Sequence, residues 1–434
     1  MSHHSRTINE SDRRLGALGP LVFKASLAMG VAGLVVSVLL GWLAEDGFGQ
    51  FYRSYLVAFI MALTICLGGL FFTILQHITR AGWSVVVRRI AEGIASNLMW
   101  VWVLFIPVLM GLFAHHLYHH WSDPSHHDEI LAHKAAYFFF TQPEGEGAIP
   151  WFWLIRAALF FVIWAALARF FVGTSVQQDR VGDPALTSRM QWYAPLAMLL
   201  FALSQSFAAF DWLMSLEPHW FSTIFPVYFF AASACGFFAT LILSTYLLQR
   251  SGRLSEVSVE HFQDMGKLLF AFGVVFWAYI AYSQFMLLWY ANLPETSGWY
   301  ITRMVGGWKW VSLFLLVGHF IGPFLILITR HTKRMKGVLA GVAAWMLMMH
   351  FVDIYWLAMP TIPADALYAA ADYESFAASV TAAQIGYGWH LLDFILPLSL
   401  LSLIVAGATW RLSTCSLIPA QDPRLHESLA FHNM

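Results

Sequence analysis

Two pairs of polar residues lie in apolar stretches near the end of the chain. His350 and Asp353 are three positions apart, and so are His390 and Asp393. Side chains at this spacing share one face of a helix, so each pair could hold or pass a proton. Burial and neighbouring charges shift the protonation of imidazole and carboxyl groups in apolar surroundings. The chemistry that these pairs favour is proton transfer or recognition of a quinone headgroup.

A further carboxyl group, Asp211, lies in the segment 204–228, SQSFAAFDWLMSLEPHWFSTIFPVY. This segment predicts a helix that leaves a membrane, a tight hairpin and a helix that returns. Pro218 suits the first turn of the returning helix, where a backbone donor would be unused. Glu217 and His219 are expected at the surface, in partner contact or capping. A charge at the depth of Asp211 is costly and is usually kept for a partner, a cavity or water.

His319 is expected near the middle of a membrane helix, just before a break at Gly322 and Pro323 that can free backbone carbonyls. The two preceding helices contribute hydroxyl and amide side chains, namely Tyr279, Tyr282, Ser283 and Gln284 from one and Tyr228, Ser233, Thr240 and Ser244 from the other. Together with the acids and histidines, these side chains could line a hydrogen-bonded route. The alternative is structural, because such groups also join helices through interhelical hydrogen bonds.

The elements that carry these residues are transmembrane helices. Of 434 residues, 59% are hydrophobic and only 11% are charged, and apolar runs of about 20 residues, enough to cross the hydrocarbon, recur along the whole chain. These runs exclude a membrane β-barrel, because barrel strands need only about 10 residues of alternating polarity. The sequence therefore predicts an all-α polytopic membrane protein with ten spans, at about 20–43, 54–78, 93–115, 150–172, 190–213, 220–248, 266–290, 306–329, 337–359 and 388–410.

Charge predicts the orientation of these spans. Most of the 24 Lys and Arg residues fall in alternate loops and in both tails, 1–19 and 411–434, and basic loops face the cytoplasm. The ten-helix domain, 20–410, is thus expected to have both termini in the cytoplasm and its acidic face outside, which is the periplasm if the cell is a diderm bacterium. Asp211, Asp353 and Asp393 then form one layer near the outer surface. The near-neutral net charge gives no indication of nucleic acid binding.

Two outer loops, 116–149 and 360–387, are long, and the first follows a histidine-rich run. The run contains seven histidines: His115, His116, His119, His120, His126, His127 and His133. Their imidazoles could bind a metal or form a docking surface for another subunit, and we consider the docking surface the better interpretation. The three cysteines are scattered singly, which offers no disulfide framework or thiolate metal site.

A haem site needs two facing histidines at one depth. His319 with His350 is the only plausible pair, and the spacing of His350 predicts that it pairs with Asp353 instead. His77 has no evident counterpart at the inner end of its helix. We therefore expect no haem, no metal and no catalytic residue in this chain.

Three stretches resemble a known family: FDWLMSLEPHWFSTIF, WYANLPETSGWY and HFVDIYWLAMP. With them, nearly the whole chain resembles the NrfD and polysulfide-reductase-like membrane subunits, most closely the ActF type of alternative complex III, a bacterial quinol:cytochrome c oxidoreductase. The resemblance implies two four-helix bundles, helices 2–5 and 6–9, flanked by helices 1 and 10. It also implies a location in a bacterial inner membrane and a subunit that holds no metal cofactor.

The resemblance further implies partners that carry the electrons: an iron–sulfur subunit, c-type haem subunits, a paralogous membrane subunit with its own quinol site, and in some assemblies a terminal oxidase. This chain would then be a subunit rather than an enzyme alone, contributing a proton pathway or a surface for menaquinone, ubiquinone or lipids. Proton routes proposed for the family map here onto His319, His350, Asp353 and Asp211. Two other hypotheses stay open, a secondary transporter and a purely structural scaffold.

Overall fold

The computed structural model describes residues 10–44, 46–122, 131, 134, 149–360, 372–382 and 389–433. Every regular element in these ranges is helical. Among the described residues, nine helices are long and apolar enough to cross a membrane, and a bent pair of helices makes a tenth if it is one span. The prediction of an all-α polytopic membrane protein with ten spans is therefore confirmed. Most of the two long loops, including His126, His127 and His133, lies outside the described residues.

The ten spans have these bounds: α1 Leu18–Leu43, α2 Gly49–Ile78, α3 Val85–Met99 with Val101–Phe113, α4 Trp151–Val181, α5 Pro184–Leu216, α6 Phe225–Arg250, α7 Val259–Ala291, α8 Trp308–Leu327, α9 Lys336–Ala358 and α10 Leu392–Ser413. Between α7 and α8, a short helix covers Pro294–Met304. The end of the membrane domain where α5, α7 and α9 finish is called here the acidic side. The opposite end, where α2, α4, α6 and α10 finish, is the basic side.

The third span differs most from its prediction. Hydropathy places it at 93–115, but the helix begins at Val85 and its two arms meet at an angle of 55°. Its first turns carry charges that are buried in ion pairs, with Arg88 2.5 Å from Asp422 and Arg89 2.7 Å from Asp179. A hydropathy average counts each of these charges without its partner, because the partner is far away in sequence. It therefore assigns the charged start of this helix to a loop.

The hairpin between α5 and α6 also differs from its prediction. A short 3-10 turn ends α5, and α6 begins only at Phe225, so Pro226 rather than Pro218 occupies the first turn of the returning helix. Glu217 is 8% exposed rather than at the surface, and its carboxylate lies 3.2 Å from the ring of His219. Trp220, in the same connection between α5 and α6, is buried, so this connection packs against the protein interior.

The spans pack as two groups with a flanking pair. Within the first group, α2 contacts α3, α4 and α5, and within the second, α6 contacts α7 and α9 while α8 lies against α7 and α9. Helices α1 and α10 pack along each other, and α10 also rests on α2 and α3. The most apolar stretch of α2 is completely buried, so α2 is the central helix. This arrangement matches the two bundles that the resemblance implies.

Helices α7 and α8 each contain a stretch of π-helix, at Leu269–Phe276 and Leu316–Ile321. A π-helix changes the regular hydrogen-bond ladder and often marks a functional site. The two stretches face each other at mid-helix. The Gly322–Pro323 step directly follows the second stretch, but α8 continues through it to Leu327, so the structure shows a π-helical stretch where the sequence predicted a break.

Candidate functional site

Asp353 is the most deeply buried acid of the second bundle. Its side chain is completely buried, and its two oxygens accept hydrogen bonds from the Tyr228 hydroxyl at 2.5 Å and from the Trp277 indole nitrogen at 3.0 Å. The three residues come from α9, α6 and α7, respectively. Within the described part of the chain, no basic side chain lies within ion-pair distance of this carboxyl group. Asp353 can therefore gain or lose a proton without breaking an ion pair.

His319 lies beside this group, in the π-helical stretch of α8. Its ring is stacked on Trp277, with ring centroids 3.8 Å apart and planes 4° apart. Its Nε2 atom lies 3.0 Å from the carbonyl oxygen of Gly273, in the π-helical stretch of α7. Its Nδ1 atom is buried without a hydrogen-bond partner among the described residues. Trp277 thus connects His319 to Asp353 through one ring.

The predicted pairing of His350 with Asp353 is wrong. The Nε2 atom of His350 lies 3.0 Å from the hydroxyl of Thr64 on α2, and its Nδ1 atom has no partner in the described structure. The i, i+3 spacing put both side chains on one face of α9, but α2 and α6 offer each of them a closer partner. Because the Nε2 atoms of His319 and His350 are both hydrogen-bonded, a haem iron would have to displace these contacts.

A cavity of about 660 Å³ lies between α7 and α8 and opens towards the lipid. Its wall is almost entirely apolar and aromatic, and it includes Tyr228 and Trp277, the two donors to Asp353. Tyr300 and Ser312 add hydroxyl groups nearer the acidic side. Pockets for small molecules typically have volumes of ~300–1,000 Å³ and few polar groups, so this cavity has the size and character of a ligand site.

The four polar residues that were predicted on α7 lie in different surroundings, two at the mouth of the cavity and two away from it. Tyr279 and Tyr282 line the cavity but are 65% and 64% exposed, so they face the lipid. Ser283 is half-buried. Gln284 is buried, with its amide nitrogen unpartnered among the described residues. The structure brings the two tyrosines to the α7–α8 cavity and does not place Ser283 and Gln284 in its lining.

A second cavity of about 310 Å³ continues towards the acidic side and shares Phe285 and Tyr300 with the first. The short helix Pro294–Met304, which lines part of this second cavity, also carries Arg303. The guanidinium of Arg303 is fully buried, lies 3.5 Å from the ring centroid of Trp299 and donates to the carbonyl oxygen of Leu357. Burial lowers the pKa of Arg303 to about 9, although the charge of Glu217 opposes this shift. Arg303 is therefore still a cation at neutral pH, and sequence reasoning missed it because it lies between the spans.

Asp211 has a different environment from Asp353. Its carboxylate makes two contacts with Arg156 of α4, at 2.7 and 3.0 Å. Each of the two aspartates lies on the last helix of its bundle, and a proline follows each at the same distance in sequence, Pro218 and Pro360. The prediction treated both acids as one set, but the structure neutralises Asp211 with a cation and holds Asp353 with neutral donors.

Asp393 and His390 begin α10. Asp393 accepts hydrogen bonds from the Ser54 hydroxyl at 2.5 Å and from the backbone amide of His390 at 2.9 Å, and Gln50 approaches to 3.2 Å. The His390 ring accepts from the Leu392 amide rather than facing Asp393. These contacts satisfy free donors at the start of a helix. The structure therefore places this pair outside the α7–α8 cavity, at the start of α10, where Asp393 also joins α10 to Ser54 of α2.

The histidine-rich run is only partly described. His116 stacks on Tyr52, and the rings of His119 and His120 lie 4.1 Å apart. Within the described residues, no three His, Cys, Asp or Glu side chains are grouped so that they could hold a metal ion.

No protein-family model matches this chain, and no curated protein matches it. The functional assignment therefore depends on the residues and their geometry.

Proposed function

We propose that this chain is an integral membrane subunit of a respiratory quinol:acceptor oxidoreductase of the alternative complex III type. In this proposal the cavity between α7 and α8 binds quinol, and Asp353 receives a proton from it. The observation that carries the proposal is the wall of the cavity, because Tyr228 and Trp277 line it and both hydrogen-bond to Asp353.

The shape of the cavity supports a long amphipathic ligand. Along α8 its lining extends from Ser312 to Phe324, which is about 18 Å at ~1.5 Å per residue. The aromatic and aliphatic wall suits an isoprenoid tail and a planar ring, and the hydroxyl groups of Tyr228, Tyr300 and Ser312 suit a quinol headgroup. The opening between α7 and α8 admits such a ligand directly from the bilayer.

The hydrogen bond from Tyr228 to Asp353 defines the proton step. A quinol hydroxyl that donates to the Tyr228 oxygen passes its proton there while the Tyr228 proton moves to the Asp353 carboxylate. Complete oxidation releases two protons and two electrons and leaves the quinone. The electrons leave to a redox partner, for which the resemblance suggests the iron–sulfur and c-type haem subunits beside a paralogous membrane subunit.

His319 and His350 extend this group of titratable residues into the core. Each has a buried Nδ1 atom without a partner among the described residues, which could accept a proton or a buried water molecule. Trp277 separates His319 from Asp353, and Thr64 connects His350 to the central helix α2. We assign to them the onward movement of protons away from the cavity.

Replacing Asp353 and Asp211 by asparagine in the assembled complex tests this function. Asp353→Asn should lower quinol oxidation and proton release per complex by about 10²-fold, since a positioned proton acceptor contributes ~10²–10⁴. Asp211→Asn should leave both rates per assembled complex near the wild-type values. Unchanged rates in Asp353→Asn would refute the proposal, and equal losses in both variants would refute the distinction between the two acids.

The interrupted helices favour one other function, a secondary transporter. Transporters often form a midplane site from broken helices, and α3, α7 and α8 are all irregular here. A transporter would move a solute in vesicles that contain the purified chain and no quinol, and Asp353→Asn would abolish that uptake.

A further inference from the structure

A cleft separate from the proposed quinol site lies in the half of the membrane domain near the basic side. It has a volume of about 260 Å³, and residues of four helices line it, including Leu18 of α1, Ile94 of α3, Ser244 of α6 and Ala408 of α10. Apart from hydroxyl groups, its lining is apolar. At its mouth Leu247 is largely exposed, so the cleft opens sideways to the lipid.

The cleft marks a gap in helix packing. In the described part of the chain, α6 makes no extended contact with α1 or α10, although α1 and α10 pack closely on each other. Protein interiors are close-packed, and an apolar void of this size is far larger than the ~30 Å³ that one water occupies and offers it few hydrogen bonds. An apolar chain is the occupant that fills such a gap most favourably.

Arginines surround the end of the cleft on the basic side. Arg14 precedes the lining residue Leu15, and Arg250 precedes the lining residue Ser251, and both arginines are exposed. The guanidinium of Arg253 lies against Gly16, 3.2 Å from the position of a Cβ atom there.

The acids of this region are partly engaged by other groups. Glu256 lies 2.9 Å from Arg13, and Asp12 is approached by the hydroxyl of Ser255 at 3.5 Å. A hydroxyl group leaves the charge of Asp12 in place. Arg14, Arg250 and Arg253 outnumber this acid, however, and give the mouth of the cleft an excess of positive charge. A ligand with an apolar chain and an anionic headgroup matches both parts of the site.

We infer that this cleft binds an anionic phospholipid from the leaflet on the basic side. One acyl chain lies between α6 and the α1–α10 pair, and the phosphate group lies beside Arg14 and Arg250. The lipid fills the gap and joins the flanking helices to the second bundle. This site is independent of the proposed quinol chemistry, because none of its lining residues lines the α7–α8 cavity.

The test measures thermal unfolding of the purified chain in detergent, titrated with phosphatidylglycerol or phosphatidylcholine. Phosphatidylglycerol should raise the midpoint of unfolding more than phosphatidylcholine does. Arg14→Gln and Arg250→Gln should each require about fivefold more phosphatidylglycerol for the same shift, as expected for one basic residue near an anionic headgroup. Arg180→Gln, an exposed arginine on α4, is the matched control and should behave as wild type.

A second pair of variants tests the acyl-chain site without changing charge. Ser244→Phe fills the cleft and should abolish the lipid-dependent shift and the phospholipid that mass spectrometry detects on the purified protein. Ala166→Phe, at an exposed position of α4, should leave both unchanged. Equal shifts with the two lipids, or an unaltered shift in Ser244→Phe and both arginine variants, would overturn the inference.

Discussion

The contrast between Asp353 and Asp211 shows how partners decide what a buried acid can do. Asp211 makes two short contacts with the guanidinium of Arg156, so loss of its charge would weaken both contacts with that cation. Asp353 is held by a phenol and an indole, which can both donate whether the acid is ionised or not. The first arrangement stabilises the bundle, and the second allows a proton to come and go.

Asp211→Asn should therefore act on stability. Removing one partner from a mostly buried, hydrogen-bonded pair costs about 1–3 kcal/mol, because the guanidinium of Arg156 loses its contacts with the carboxylate. We expect a lower unfolding midpoint for Asp211→Asn, measured by intrinsic tryptophan fluorescence during heating. The double variant Asp211→Asn with Arg156→Gln should recover part of the loss. A double variant less stable than the sum of the single changes would contradict this account of the pair.

The sequence identified Asp211, Asp353, His319 and His350 as polar residues at membrane depth, but it could not assign their partners. Spacing along one helix suggested that His350 pairs with Asp353, whereas the contacts that decide their roles come from α2, α6 and α7. Arg156 was visible in the sequence near the start of α4. Only the packing of α4 against α5 shows that it reaches Asp211.

At the scale of the helices, the π-helical stretches of α7 and α8 position the site. The stretch in α7 presents the Gly273 carbonyl to His319, and the stretch in α8 carries His319 itself. The sequence indicated the irregularity of α8 through Gly322 and Pro323. It gave no such signal for α7, where no proline occurs in Leu269–Phe276 and the irregularity appears only in the packed helices.

The position of His350 also depends on close packing between helices. A Cβ atom on Gly236 of α6 would lie 2.6 Å from Cδ2 of His350, so Gly236→Ala must displace either the ring or the α6 backbone. We expect a loss of about 1–3 kcal/mol in the free energy of unfolding, as for overpacking in a core. Gly341→Ala on α9 is the control, because nothing lies within 4 Å of its Cβ position. Equal stability of the two variants would show that α6 and His350 adjust freely.

At the scale of the whole molecule, the segment after α10 packs against the basic ends of both bundles. Asp422 contacts Arg88 of α3, and the buried Ser428 donates to the carbonyl of Trp83 at 2.6 Å. Asn433 reaches Asp264 and Glu260 of α7. Hydropathy and charge together predicted the number of spans and their order in the membrane, but not this docking, because it depends on long-range pairs.

The orientation of the molecule stays a prediction that fusion proteins can test. The concentration of Lys and Arg at the basic side predicts that both termini are cytoplasmic. Green fluorescent protein fused after Met434 should fluoresce, and alkaline phosphatase at the same position should be inactive. A fusion to the connection between α1 and α2 provides the control and should give the reverse pattern. Active phosphatase at the C-terminus would contradict the assigned orientation.

The central claim is that quinol occupies the cavity between α7 and α8, and photoaffinity labelling tests it most directly. An azido-quinone should label peptides from α7 and α8 in the purified complex, and excess natural quinone should compete. Ala281→Phe, which fills part of the cavity, should remove this labelling, whereas Ala202→Phe on the exposed face of α5 should not. Labelling of α7 and α8 that persists in Ala281→Phe, or labelling confined to other helices or subunits, would contradict the account.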